Sequence, residues 1–392
     1  MDFKQLITVE VQEFINSNLN ADVAQLALSK NPFSEIEFTS IINQIKAKQK
    51  SKEKLPLWYN TSKIIFPTKI SIEQTSSEKT AQYKSEIVSG ESLIDLSGGF
   101  GIDDYYFSKK INYVTHCEIN TKLSNIVAYN YKLLNANNIT CINKNSTDYL
   151  KESNEKFDWI YIDPSRRNET KRKVFMFKDC EPNVPDLLSL YFSKSNNILI
   201  KTAPLLDLQA GIVELKYVKK IHIVAIQNEV KELLWEIEQG YQGSISIISV
   251  NIDKDKRTLV ETVHQKEYEV EFSLPQKFLY EPNAALLKSG NFDAISQIYN
   301  CKKLHRHSHL YTSDFIIEFP GRSFRVENII TLQKSEVKEH LLGKKMNAST
   351  RNFPFKVEDL KKKYKIKDGG TTFVFFTTNI ENKKIALICT KI

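Results

Sequence analysis

The chain has 392 residues, enough for about two or three domains with full hydrophobic cores. Its 12 glycines and 11 prolines are too few for a collagen-like or low-complexity chain, and a 26% share of charged residues is ordinary for a globular protein. The net charge of +8 is a moderate basic excess, which favours a polyanionic partner.

The five cysteines are scattered along the chain, form no CxxC pair and are odd in number. This pattern argues against a disulfide framework or a zinc finger and favours a reducing cytosol. The N-terminal segment carries acidic residues and has no apolar core, unlike a secretion signal. Because no run approaches the roughly 18 apolar residues of a membrane span, we expect a cytoplasmic protein without a membrane segment.

Residues 1–54 are predicted to form a helical region, because apolar residues recur at three- and four-residue steps. The region ends in the charged run KAKQKSKEK, which we interpret as a linker. The next segment, residues 55–85, begins with aromatic and β-branched residues. Ser76 or Ser77 within it can cap a polar helix that follows.

Residues 86–270 alternate short apolar runs with segments of helix length. Such alternation is typical of βαβ units that build a parallel sheet, whose buried strands are apolar throughout. The predicted strands are SLIDLS (92–97), YVTHCEI (113–119), ITCIN (139–143), DWIYID (158–163), NILIKT (197–202), IHIVAI (221–226) and SISIISVN (244–251). The sequence therefore predicts an α/β fold.

The last part of the chain changes its pattern. Residues 272–325 contain FLYEPNAALLKSG and LHRHSHLYTSDFIIEFPGRSF, which predict a small α/β unit. Residues 326–392 contain the strand candidates VENIITL and TTFVFFTTNIENKKIALICTKI, with a strongly basic helical stretch between them. We therefore expect small separate domains after the sheet.

Two clusters hold most of the basic excess. Residues 344–367 contain nine Lys or Arg residues and two acids, with Phe353, Phe355 and Tyr364 between them. Residues 166–178 contain six basic residues and one acid. Basic side chains with interleaved aromatic rings are typical of a surface that binds phosphates and stacks on bases. A solvated, lysine-rich helix is the alternative interpretation.

The most informative motif is LIDLSGGFGID at residues 93–103. Its apolar strand ends at Asp95, turns through Gly98, Gly99 and Gly101, and enters a helix, so the backbone can pass close to a ligand. The spacing does not match GxGxxG, and the Gly-Lys-Ser/Thr of a P-loop is missing. A carboxylate at the strand tip repels a pyrophosphate and suits a cation, such as the amino and sulfonium groups of S-adenosylmethionine.

Polar residues also follow the next three predicted strands. Glu118 ends the second strand, where an acid can hold ribose hydroxyls. The polar residues from Asn143 to Asp148 follow the third strand and can meet the adenine edge, and Asp163 follows the fourth. Because the carboxyl ends of parallel strands meet at one edge of a sheet, these side chains are expected to form one nucleotide site.

Together these strand ends resemble the class I S-adenosylmethionine-dependent methyltransferases, over residues 75–260. Ser97 stands where the family pattern has glycine, and a serine is small enough to fit. More narrowly, SIEQTSSEKTAQYK, DPSRR and LIKTAPLLD are similar to a bacterial methyltransferase family whose members end in a ferredoxin-like module and a THUMP-like domain. FLYEPNAALLKSG with LHRHSHLYTSD is similar to the ferredoxin-like module, and residues 347–372 are similar to the THUMP-like domain.

The resemblance implies a Rossmann-like class I methyltransferase sheet with an N-terminal helical region and small C-terminal α+β domains. The implied domains are an N-terminal helical region (1–54), a methyltransferase domain (55–271), a ferredoxin-like module (272–325) and a THUMP-like basic domain (326–392). THUMP domains are associated with RNA binding, so the resemblance also implies an RNA substrate such as tRNA or rRNA.

The resemblance implies S-adenosylmethionine as the cofactor. The glycine motif is expected to hold its methionine portion, Glu118 its ribose and residues 145–148 its adenine edge, while residues 74–80 close the site. The expected cofactor-binding residues are Gln74, Ser76, Thr80, Asp95, Ser97, Gly98, Gly99, Gly101, Asp103, Glu118, Asn145, Ser146 and Asp148.

The methylated atom stays open between a base amine and a ribose hydroxyl. Asp163 and Pro164 match the start of the motif that amine methyltransferases use, but no aromatic residue follows them. The other candidate is a Lys-Asp-Lys-Glu set, which can deprotonate a ribose hydroxyl. Its members in chain order are Lys84, Asp163, Lys201 and Glu229. In both cases Asp163 is expected nearest the transferred methyl group.

Two rival functions are a non-catalytic RNA-binding protein with a vestigial nucleotide fold, and a methyltransferase that acts on protein or small molecules. His305, His307 and His309 alternate and would share one face of a strand, but no neighbouring Cys or acid completes a ligand set, so no metal is predicted. The expected substrate-binding residues are Arg166, Arg167, Lys345, Arg351 and Lys362.

Overall fold

The computed structural model describes residues 3–67, 72–166, 176–254 and 256–392. The chain forms two compact units. The first is Met1–Val218 with Leu234–Gln242, and the second is Lys219–Leu233 with Gly243–Ile392. The bounds of the four domains inferred from the sequence stay predictions.

The N-terminal region of the first unit is helical and packs on α7. Ile15 of α1 and Ile41 and Ile45 of α3 are buried in one apolar cluster, against which Ile126 of α7 packs. Short 3-10 helices occupy Phe3–Ile7 and Phe177–Asp179. The α-helices are α1 (Val9–Ser17), α2 (Val23–Ala27), α3 (Phe38–Lys54), α4 (Pro56–Asn60), α5 (Glu78–Ser85), α6 (Ile102–Phe107), α7 (Thr121–Leu133), α8 (Ser146–Glu152), α9 (Val184–Phe192) and α10 (Leu208–Glu214).

A parallel sheet forms the core of the first unit. The strands are β1 (Ser92–Asp95), β2 (Tyr113–Cys117), β3 (Ile139–Ile142), β4 (Trp159–Ile162), β5 (Ser165–Arg166), β6 (Cys180–Glu181) and β7 (Asn197–Thr202). Five of them lie in the order β7-β4-β1-β2-β3 and pair in parallel, while β5 and β6 form a separate antiparallel pair. The residues of β4 are all buried, as expected of a strand covered on both faces. The predicted Rossmann-like sheet is confirmed.

Four strands follow in the chain, namely β8 (Val218–Ile226), β9 (Glu229–Glu238), β10 (Ser246–Asp253) and β11 (Lys256–Val263). In the second unit β10 pairs in parallel with β8 and antiparallel with β11. The alternation of apolar runs in the sequence predicted a segment of helix length where β9 lies. Leu233, Leu234 and Trp235 are fully buried in this strand, so burial in a sheet overrides the helical preference of a Glu- and Leu-rich segment.

The rest of the second unit is a seven-stranded sheet with short helices, as expected for small α+β domains. Its order is β13-β14-β12-β15-β18-β17-β16, and Leu279, Phe324, Phe375 and Leu387 belong to its core. The elements are β12 (Phe278–Pro282), α11 (Ala284–Ser289), α12 (Phe292–Ile298), β13 (Lys302–Lys303), β14 (Tyr311–Ser313), β15 (Gly321–Ile330), α13 (Lys334–His340), β16 (Asn347–Arg351), α14 (Val357–Tyr364), β17 (Thr372–Thr378) and β18 (Lys384–Lys391).

Two expectations about this part of the chain need separate comment. Residues 305–309 form a turn between β13 and β14, so the three histidines do not share a strand face as predicted. Within the described ranges, no helix combines the length and the apolar character that crossing a lipid bilayer requires.

The start of α6 is fixed by a close contact with α7. Gly101 precedes the helix in a left-handed conformation with φ of 73°, and the Tyr131 hydroxyl donates to its carbonyl oxygen at 3.0 Å. A Cβ at position 101 would lie 2.0 Å from that hydroxyl oxygen and 2.9 Å from Cγ1 of Val127. Only glycine therefore lets α7 approach the turn this closely.

We expect Gly101→Ala to destabilise the protein by about 1–2 kcal/mol through its left-handed backbone and by about 1–3 kcal/mol more through the clash with Tyr131. Gly240→Ala is the matched control, because φ is 77° there and a Cβ would meet nothing within 4 Å. Urea denaturation measures both losses of unfolding free energy. Equal losses for the two variants would contradict this account of the contact.

Candidate functional site

An open cavity lies at the carboxyl end of β1, where the chain turns into α6. Its volume is about 540 Å³ when the open mouth is included. The lining residues are Gln74, Thr75, Ser76, Asp95, Ser97, Gly98, Gly99, Phe100, Gly101, Ile102, Asp103, Tyr161 and Asp163. The structure thus brings together most of the cofactor-binding residues predicted from the sequence, together with Asp163.

The glycine turn packs tightly on one side and is open on the other. A Cβ at Gly98 would lie 2.3 Å from the carbonyl oxygen of Cys117, at the end of β2. A Cβ at Gly99 would instead meet only the carbonyl oxygen of Ser97, at 3.9 Å. The amide N–H of Gly99 donates to Glu118 at 3.0 Å, which ties the turn to the end of β2. The turn therefore offers backbone surface to a ligand.

Ser97 links the ends of two neighbouring strands. Its hydroxyl donates to Oδ1 of Asp95 at 2.6 Å and accepts the backbone N–H of Asp163 at 2.9 Å. The backbone N–H groups of Ser97 and Gly98 also donate to Oδ1 of Asp95, at 2.7 and 3.2 Å. A glycine at position 97, as in the family pattern, would lack the hydroxyl that makes this link.

Asp103 is held by side chains from three other parts of the first unit. Its Oδ2 accepts hydrogen bonds from the hydroxyls of Ser76 and Tyr161, both at 2.8 Å. Its Oδ1 lies 3.2 Å from Nζ of Lys84, which is completely buried. Because a buried lysine is rare without a charge partner, this ion pair fixes both groups. Tyr161 was not predicted as a site residue, because it lies within an apolar run.

Asp163 forms an ion pair with Lys201 of β7, and Pro164 beside it is buried. Glu229 begins β9, is largely exposed and pairs with Lys231 at 2.7 Å. In the part of the chain that the structure describes, the Lys-Asp-Lys-Glu candidates therefore divide among separate ion pairs. Lys84 contacts Asp103 rather than Asp163, because α5 places it behind the start of α6.

The residues predicted to hold the ribose and the adenine edge contact backbone N–H groups or lie in the first turn of a helix. Glu118 accepts the backbone N–H groups of Gly99 and Asn120, and the side-chain oxygen of Asn145 caps α8. Ser146 begins α8 and Asp148 is exposed in its first turn.

Thr80 has another role than predicted. It is 2% exposed and forms the capping box of α5 with Ser77, so it supports the helix instead of closing the cavity.

Arg351 is committed to the fold of the second unit. Its guanidinium donates to Oε1 of Glu281 at 2.7 Å, and Arg322 donates to Oε2 of the same carboxylate at 2.7 Å. Glu281 is 3% exposed, and a buried carboxylate needs such counter-charges. The prediction that Arg351 binds substrate is therefore corrected.

The other basic candidates are placed as follows. Lys345 and Lys362 are exposed, as expected of residues that bind an external ligand. Arg166 lies in β5, and Arg167 lies outside the described residues.

The aromatic residues of the basic stretch also divide into two groups. Phe355 is half exposed, and Nζ of Lys363 lies 5.5 Å from its ring. Tyr364 is buried and stacks on Phe376 in the core, so it is not the exposed platform that the sequence suggested.

Comparison with known proteins adds three findings. Residues 278–320 match the ferredoxin-like domain family, and residues 321–391 match the THUMP domain-like family. A search of curated proteins finds no match to the sequence. A crystal structure from Porphyromonas gingivalis W83, described as a "putative methyltransferase", is 28% identical with a TM-score of 0.88, and the alignment covers 100% of this chain and 99% of that chain.

Other solved structures are more distant. The Escherichia coli protein yhhF, described in the same words, is 16% identical over 41% of this chain and 84% of that chain, with a TM-score of 0.31. TrmK of M. capricolum, in complex with S-adenosyl-homocysteine, is 16% identical over 41% of this chain and 68% of that chain, with a TM-score of 0.32. The chain therefore combines a Rossmann-like parallel sheet with a ferredoxin-like and a THUMP-like domain, as its motifs predicted, and its fold is similar over the whole chain to that of the P. gingivalis structure.

Proposed function

We propose that this protein is an S-adenosylmethionine-dependent methyltransferase. The observation that carries the proposal is the wall of the cavity, where the carboxyl groups of Asp95 and Asp103 lie beside a glycine turn. Carboxylates attract the ammonium and sulfonium groups of this cofactor and repel the diphosphate of NAD or ATP. The similarity over the whole chain to the P. gingivalis protein supports the same activity.

The residues of the cavity suit the parts of the cofactor. The open side of Gly99 leaves room for the methionine portion, and Glu118 at the end of β2 is an acceptor for ribose hydroxyls. We assign the adenine edge to Asn145, Ser146 and Asp148, and the outer wall to Gln74 and Ser76. The cofactor supplies an activated methyl group, so the protein has mainly to position the acceptor.

Asp163 is the residue we place beside the methyl acceptor. Its ion pair with Lys201 fixes the carboxylate at the rim, where one oxygen can accept a hydrogen bond from the attacking group. The ion pair of Lys84 with Asp103 favours a base amine over a ribose hydroxyl, because the hydroxyl hypothesis needs Lys84 beside Asp163.

RNA, such as tRNA or rRNA, is the substrate we propose. The THUMP-like match over residues 321–391 supports it, as do the exposed Lys345, Lys362 and Phe355 of the same region. Exposed lysines bind phosphates, and an exposed aromatic ring stacks on bases.

We expect Asp163→Asn to lower methyl transfer by about 10²–10⁴-fold, because the amide cannot accept a proton from the acceptor. S-adenosylmethionine affinity should change little, since the amide keeps the shape of the carboxylate. Glu53→Gln, on the exposed side of α3, is the control. Isothermal titration measures binding, and tritium transfer from the cofactor into RNA or protein of a deletion strain measures activity.

The outcomes separate the alternatives. A wild-type protein that does not bind the cofactor would support the non-catalytic RNA-binding alternative. Label in protein or in small molecules, with none in RNA, would reject the RNA substrate while keeping the enzyme. Loss of cofactor binding in Asp163→Asn would show that its role is misassigned.

We expect Lys345→Glu and Lys362→Glu to weaken RNA binding and to reduce its salt dependence by about one counterion each, because each lysine neutralises one phosphate. Lys384→Glu is the matched control, since it makes the same charge change on an exposed lysine of β18 outside the basic stretch. Filter binding over a salt series measures both effects. Equal losses of RNA affinity in all three variants would show that RNA binding depends only on net charge and not on these two lysines.

A further inference from the structure

A buried acid–histidine group lies directly behind the glycine turn. Asp95 comes from β1, Asp104 from α6 and His116 from β2, and one nitrogen or oxygen atom of each lies within 4.8 Å of the others. Asp95 is 2% exposed, and Asp104 and His116 are completely buried. Asp95 alone of the three lines the cavity, so it connects this group to the ligand site.

The contacts within the group require a proton. Carboxyl oxygens of Asp95 and Asp104 lie within 4.8 Å of each other, and the two side chains share a hydrogen bond, so one of the two acids must carry a proton. Two carboxylates in such contact cannot both ionise without a large cost. Burial raises the pKa of both acids well above the usual value, and the neighbouring Asp104 raises that of Asp95 further. In the free protein the Asp95–Asp104 pair therefore holds one proton.

His116 holds Asp104 but is a poor place to store that proton. Its Nδ1 lies 2.6 Å from Oδ2 of Asp104, while its Nε2 has no hydrogen-bond partner among the described residues. A protonated imidazole would leave a buried Nε2–H unpaired, which is costly, and burial lowers the pKa of His116. A zinc ion bound by both Nδ1 of His116 and Oδ2 of Asp104 is also disfavoured. These two atoms lie 2.6 Å apart, whereas two ligand atoms of one zinc lie about 3.3 Å apart.

Other titratable groups also face this site. Cys117 ends β2 and Glu118 follows it, Tyr131 lies on α7 and Cys141 on β3. Asp103 on α6 is paired with Lys84. Burial raises the pKa of Cys117 above its usual value, that of Tyr131 likewise, and that of Cys141 to about 12, so all three are neutral.

We propose that Asp104 is a positioning residue that lets the Asp95–Asp104 pair hold a proton in the free protein, and that the pair releases this proton to solvent when a cationic ligand binds in the cavity. The inference rests on the proposed function, which supplies the cation. Asp103 and Asp163 differ from Asp95, because each forms an ion pair with a lysine. Asp95 is thus the wall carboxyl that is paired with a second acid.

The sign of the pH dependence follows from linkage. Binding beside Asp95 favours its ionised form, so the pKa of Asp95 is lower in the complex than in the free protein. Between these two values, the affinity falls by up to tenfold for each unit by which the pH is lowered, because the ligand must expel the proton. Above both values the affinity no longer depends on this group.

Calorimetric titration of the full chain with S-adenosylmethionine, in buffers of different ionisation enthalpy, counts the protons released. We expect release of up to about one proton by the wild type, less from this group in Asp104→Asn, where burial alone keeps the pKa of Asp95 raised, and the wild-type value in Asp163→Asn. Asp163→Asn is the matched control, because it makes the same change on the same cavity at a carboxylate paired with lysine. The amino group of the ligand titrates equally with all three proteins.

Infrared difference spectroscopy of the wild type gives a second readout that needs no variant. The carbonyl stretch of a protonated carboxylic acid should disappear when S-adenosylmethionine binds. Binding without proton release and without loss of this band would overturn the inference while leaving the proposed function intact. Equal proton release by the wild type and by folded Asp104→Asn would also overturn it. A wild type that does not bind S-adenosylmethionine would reject the proposed function itself.

Discussion

The geometry of the cavity depends on the two hydrogen bonds that the hydroxyl of Ser97 makes. This hydroxyl joins the carboxyl group that ends β1 to the backbone that follows β4, so one side chain holds two strand ends in place. The glycine turn behind it is fixed by its close approach to β2 and to Tyr131. Because packing sets this wall in the free protein, little order has to be gained when a ligand binds.

The three wall carboxyls share one sign but have different partners. Asp103 and Asp163 each contact a lysine, whereas Asp95 contacts a second acid. A carboxylate beside a permanent cation stays ionised over a wide pH range, and a carboxyl beside another acid does not. The same residue type can therefore orient a ligand at one position and respond to its charge at another.

In the second unit, an arginine that the sequence assigned to a ligand stabilises the fold instead. Glu281 is buried and takes the guanidinium groups of Arg322 and Arg351, which tie β12 to β15 and β16. Lys345 and Lys362 have no such place in the core and lie at the surface. Only burial separates the arginine that stabilises the sheet from the lysines that are available to a polyanion.

The sequence by itself determined the parallel sheet, the glycine turn at Asp95 and the small C-terminal domains, because apolar periodicity and turn residues act over a few neighbouring positions. Tertiary structure decided that the segment Glu229–Glu238 is a strand, that Lys84 pairs with Asp103 and that Thr80 caps a helix. Attraction between charges depends on the distance between their atoms, and residues far apart in the chain acquire that distance only when the elements pack.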